Sequence, residues 1–86
     1  MRTVEFTANA LSALQFWLKT DRKILDRIFT IIEETRREPF KGIGKPEPLK
    51  NNLKGYWSRR INDEHRMVYK VTEENIIIFS LKGHYE

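Results

Sequence analysis

The apolar residues of this chain change their spacing once, around residue 40, and that change restricts the fold more than any other feature. Ala10, Leu11, Leu14, Trp17 and Leu18 recur at helical spacing, and Leu25, Ile28, Ile31, Ile32 and Thr35 do so again. These two stripes predict amphipathic helices whose apolar faces turn to a common core. Thr7 is placed to cap the first helix and Asp21 the second, so the pair reads as an αα-hairpin. Glu38-Pro39 ends the second helix, because the residue before proline is steered away from helical geometry.

Beyond Phe40 the helical period is gone. A basic loop with Gly42, Gly44, Pro46 and Pro48 runs to Asn52, and from Leu53 the chain reads as three strands, roughly 55–61, 65–71 and 75–81. The run Ile76-Ile77-Ile78-Phe79 is apolar throughout, as expected of a central strand covered on both faces. With a further short strand at Arg2–Phe6, the order is β-α-α-β-β-β. The expected fold class is α+β, two N-terminal helices on one antiparallel sheet. The 86 residues, with no repeat or composition break, form one domain over 1–86.

The charge is unevenly placed. Between Arg36 and Lys70 there are ten cations against four anions, whereas the remainder holds six against eight. A basic half of this kind is the footprint of a phosphate-bearing partner, and it also serves solubility. The chain has no cysteine, which excludes disulfides, thiolate metal sites and a cysteine nucleophile. Ala10–Leu18 is broken by Ser12 and Gln15, so no secretory segment is read, and nothing approaches the ~20 apolar residues of a membrane span. The expected location is the cytoplasm, with no membrane partner.

The hairpin over Gly55–Val71 concentrates the cations. A three-residue loop at Asn62-Asp63-Glu64 sets Arg60 opposite Arg66 on one face and gathers Trp57, Ile61, Met67 and Tyr69 on the other. Arg59 falls on that second, apolar face and interrupts it. Opposed like charges destabilise an antiparallel pair, so the two guanidiniums need an anion between them. Guanidinium forks match phosphate oxygens bidentately and can hold charge that grows in a transition state.

The loop Gly44–Lys50, GKPEPLK, adds a carboxylate. Glu47 lies between two prolines that hold its backbone extended, among Lys45, Lys50 and the arginines. A carboxylate so placed can accept a proton as a general base, or can serve as a structural ion pair. At the C-terminus His84 can act as a general acid in its imidazolium form, and Tyr85 can stack on a base or hydrogen-bond a phosphate. His65 with Asp63 and Glu64 is too crowded in one turn to converge on a metal ion, and no metal or cofactor is expected. A fixed carboxylate, arginines and a histidine are the parts for metal-free RNA cleavage through the 2′-hydroxyl.

These same stretches, TRREPFKG (35–42), GKPEPLK (44–50), YWSRRI (56–61), HRMVY (65–69) and the terminal His84-Tyr85, closely resemble the YoeB/Txe toxins of the RelE-like superfamily. The resemblance spans essentially the whole chain. It implies a RelE-like fold and a ribosome-dependent endoribonuclease that cuts messenger RNA in the ribosomal A site. It also implies neutralisation by a YefM/Axe-type antitoxin and a homodimer. By motif, it implies that Glu47, Arg66, His84 and Tyr85 are catalytic and that Lys50 and Arg60 are supporting cations; Arg59 and Lys45 join them as phosphate-binding candidates. This chain departs from the pattern in adding Glu86 and in carrying Gly83 where bulkier residues are usual, a change that loosens the tail. Two other readings are a non-catalytic RNA- or ribosome-binding module and a ParE-like gyrase inhibitor, which lacks this acid–base set.

Overall fold

The computed structural model describes residues 1–83. It contains β1 (Thr3–Phe6), α1 (Ala8–Thr20), α2 (Arg22–Arg37), β2 (Glu47–Pro48), a 3-10 turn at Asn51–Leu53, β3 (Trp57–Arg60), β4 (Arg66–Val71) and β5 (Asn75–Ser80). The Thr7 hydroxyl accepts the Ala10 N–H at 3.1 Å and starts α1. One residue later than α1, Asp21 accepts from the N–H groups of Lys23 and Ile24, so a single side chain turns the chain from one helix to the next. Such a cap contributes about 1 kcal/mol. Glu38 closes α2 just before Pro39, and Arg36 and Arg37 in its last turn complement the helix dipole.

The five strands form one sheet in the order β1-β5-β4-β3-β2. β2 through β5 pair antiparallel, as the sequence indicates, while β1 joins the far edge parallel to β5, with Val4 beside Ile76. A parallel pair needs a crossover, and the whole αα-hairpin with the rest of the sheet supplies it. β2, two residues long, is an additional strand within the expected basic loop. Its prolines are tolerated because it is an edge.

Both helices cover one face of the sheet. Ala10, Ala13, Trp17, Leu25, Ile28, Ile31 and Ile32 meet Ile61, Met67, Tyr69, Ile76, Ile78 and Leu81 in one core. Every residue of the expected α2 stripe is buried. On α1 the buried face is Ala10, Ala13 and Trp17, and Leu11 and Leu18 are about half exposed, so the stripe is narrower than its sequence pattern. β5 departs from expectation too. Only Ile76 and Ile78 are buried, whereas Ile77 and Phe79 are partly exposed on the face without helices. There Phe79 stacks on Tyr56 with ring centroids 4.6 Å apart, which explains an apolar run on a strand covered from one side.

Candidate active site

The register of the central hairpin is the one the three-residue loop demands, with Arg60 opposite Arg66 and Arg59 opposite Met67. Strand pleating therefore sends Arg60 and Arg66 to the open face and Arg59 inward. Glu47 pairs with Ser58 on the neighbouring strand, and so shares the open face. Its Oε1 lies 3.6 Å from Nη1 of Arg66, the side chains being 57% and 29% exposed respectively. This is a loose, solvent-facing ion pair, open to a ligand from the sheet's free side. The opposed arginines find separate anions: Arg66 faces Glu47, while Arg60 pairs with Asp63 across the turn.

Arg59 is not a phosphate ligand. It is fully buried, and all five of its N–H groups are engaged. Nε donates to the Tyr69 hydroxyl at 3.3 Å; Nη1 donates to Glu34 and to the Ile43 carbonyl, both at 3.2 Å; Nη2 donates to the carbonyls of Glu38 and Lys41. A guanidinium has five donors, so none is left for substrate. The expectation from the cation cluster is corrected by the pleat: Arg59 stands on the core face, and there it ties down the segment between α2 and β2. Glu34 completes the clip by accepting the Ile43 N–H at 2.6 Å. Nothing in the spacing of Glu34 marked it for this work, since it reads as one more polar helix residue.

The clip hands the chain on to Gly44, whose carbonyl accepts the Arg60 N–H at 2.6 Å. Gly44 has φ +79, and a Cβ there would sit 2.9 Å from the Arg60 carbonyl oxygen, so both conformation and space require glycine. Lys45 follows at φ +51, and Glu47 is then carried into β2. The Leu49 N–H bonds the Tyr56 carbonyl at 2.9 Å and extends the pairing one step further. Lys45 and Arg60 line an open hollow of about 210 Å³ together with Arg27, Gly44, Ile61 and Asn62. Arg27 was not singled out in the sequence, where it is an ordinary polar position of α2. Lys50 is exposed at the start of the 3-10 turn. His84 and Tyr85, the other two expected catalytic residues, lie outside the described residues.

The structure thus brings Glu47 and Arg66 face to face, sets Arg60 beside them with Lys45 at its hollow, and removes Arg59. Residues 6–85 match the family model for the YoeB-like toxin of bacterial type II toxin–antitoxin systems. The chain belongs to the YoeB-like toxin family. The YoeB toxin of Mycobacterium bovis is 49% identical over 85 residues, covering 99% of this chain and all of that protein. The Staphylococcus aureus YoeB dimer structure is 41% identical with a TM-score of 0.91, covering 98% of each chain. The heterotetrameric YoeB–YefM toxin–antitoxin complex from the same organism is likewise 41% identical, with a TM-score of 0.89 and 99% coverage of each chain. The YoeB-like fold is therefore shared over the described residues. Among the described residues no helix is long and apolar enough to cross a membrane.

Proposed function

We propose that this YoeB-like toxin is a ribosome-dependent endoribonuclease that cuts messenger RNA in the A site and so stops translation in the cytoplasm. The observation that carries the reading is the Glu47–Arg66 pair, a carboxylate and a guanidinium 3.6 Å apart on an open, basic sheet face. Glu47 takes the proton of a 2′-hydroxyl, and that oxygen attacks the adjacent phosphorus. The bond from phosphorus to the 5′-oxygen breaks, and His84 gives that oxygen a proton. Arg66 holds the charge that builds on the phosphoryl oxygens, with Arg60, Lys45 and Lys50 binding flanking phosphates and Tyr85 contacting the reacting nucleotide. The products are a 2′,3′-cyclic phosphate and a 5′-hydroxyl, DNA is inert for want of the 2′-hydroxyl, and no metal takes part.

Stability does not explain this pair. An ion pair so exposed contributes roughly 0–1 kcal/mol, yet two prolines, a short strand and the Arg59 clip are spent on placing its carboxylate. The partners follow from the family: a YefM/Axe-type antitoxin and a second copy of the chain, as in the S. aureus assemblies.

The decisive experiment is cleavage of a defined message on programmed ribosomes, mapped at nucleotide resolution, for wild type and Glu47→Ala. Cuts confined to the A-site codon are expected, slowed about 10²–10⁴-fold in the variant with its thermal stability nearly unchanged. Cuts that persist in the variant give the base role to another group. A folded wild type that binds ribosomes and cuts nothing leaves a binding module.

A further inference from the structure

The reading of function includes His84, and the described residues that lead to it from β5, 81–83, lie in no helix or strand. The polar groups of Gly83, the residue before it, are both taken. Its N–H donates to Nδ1 of His65 at 2.7 Å, and its carbonyl accepts the Arg66 N–H at 2.8 Å. Gly83 adopts φ +77 to present both groups to the start of β4, although a Cβ there would meet open space, so conformation alone favours glycine. Glycine at this position thus does not loosen the tail at residue 83: it lets the tail be tied.

His65 is itself held. Its ring meets Trp17 edge-on with centroids 4.8 Å apart, and the Trp17 indole N–H bonds the Leu81 carbonyl at 3.0 Å. Its own N–H donates to the Asn62 side chain, and its carbonyl accepts from Ile61 and Asn62. With the Gly83 N–H as donor, Nδ1 is an acceptor and the ring's proton sits on Nε2. Two consecutive residues thereby divide the work, since Arg66 faces Glu47 with its side chain and holds Gly83 with its main chain. His84 is joined directly to the carbonyl carbon that this pair fixes.

We infer that His65 is a positioning residue: its Nδ1 anchors Gly83 and thereby sets where His84 begins relative to Glu47 and Arg66. The inference rests on the ribonuclease reading for its catalytic consequence but not for the anchor itself. Misplacing a catalytic group by about 1 Å costs on the order of 10²-fold in rate, and His65 is the one side chain among the described residues bonded to Gly83.

The test compares wild type, His65→Leu, which removes the acceptor, and His65→Asn, whose carbonyl oxygen can replace it. Two quantities are read: hydrogen exchange of the Gly83 amide in the free toxin, and single-turnover cleavage on programmed ribosomes across toxin concentration. In His65→Leu the Gly83 amide exchanges at least about tenfold faster. The cleavage rate at saturation falls about 10²-fold, with the half-saturating concentration almost unmoved. His65→Asn recovers most of both. A His65→Leu variant that cuts at the wild-type rate, or one that slows with Gly83 as protected as before, overturns the proposal. Nitrogen–nitrogen coupling between the Gly83 amide and His65 Nδ1 in the wild type needs no substitution, and its absence overturns the anchor even if a variant fails to fold. A wild type that cuts nothing overturns the catalytic consequence, while coupling and exchange still decide the anchor.

Discussion

Arg59 and Arg60 are neighbours on β3, and the pleat sends them to opposite faces of the sheet. Arg59 is fully buried between two side chains and three backbone carbonyls, with every donor satisfied. Arg60 keeps 35% of its side chain exposed and pairs with Asp63, itself 94% exposed. The same guanidinium chemistry thus does two jobs one residue apart. The inner arginine fixes the loop that delivers Glu47, and the outer one is left free to meet an anion. The carboxylate and guanidiniums of the open face thus depend for their placement on a cation buried beneath them.

The largest expected effect comes from breaking the inner member. Arg59→Met removes five hydrogen bonds, to three backbone carbonyls, the Tyr69 hydroxyl and the part-exposed Glu34 carboxylate; at about 1 kcal/mol for each, the cost is about 3–5 kcal/mol. Arg59→Lys does not rescue it, because an ammonium has three donors and no planar fork. Urea unfolding of the two variants checks this; a loss below about 1 kcal/mol would mean that the loop is held by other contacts. The outer member answers in the opposite way. Arg60→Met is expected to leave stability within about 0.5 kcal/mol of wild type and to slow ribosome-dependent cleavage by roughly 10²-fold. Equal stability losses in Arg59→Met and Arg60→Met would erase the distinction between the two faces.

Much of this contrast was legible in the sequence, and the part that was not has a physical reason. Helix starts at Thr7 and Asp21, the stop at Pro39 and the Arg60–Arg66 register follow from local chemistry, which acts over a few residues. Arg59 was visibly on the apolar face, but a count of nearby cations outweighed its position and made it a phosphate ligand. Its partners at Glu34, Glu38, Lys41 and Ile43 are distant in sequence and mostly backbone carbonyls, which composition does not display. The same holds for His65, whose partner is the N–H of a glycine 18 residues away. β1 pairing with β5 spans nearly the whole chain and leaves no periodic trace. Glu47 was legible because the flanking prolines advertise its rigidity, whereas the roles proposed for Arg66, His84 and Tyr85 come from the family motif alone.

The smallest expected effect probes the inner site by pH. Tyr69 is buried beside Arg59, and its hydroxyl donates to the Pro39 carbonyl at 2.8 Å. Burial pushes the phenol's pKa above its ordinary value, against the opposing pull of the Arg59 hydrogen bond and charge. A group whose folded pKa is raised stabilises the fold fully below its unfolded pKa, about 10 for tyrosine, and that stability is lost as pH rises through the folded pKa. Tyr69→Phe cannot ionise at this position. At neutral pH it is expected to lose about 1 kcal/mol for the missing hydroxyl. The gap to wild type then narrows as pH climbs past about 10, because only the wild type is penalised there. Denaturation of both proteins from pH 8 upward measures the difference directly. A gap that widens with pH would mean that Arg59 outweighs burial and holds a phenolate at the centre of the clip.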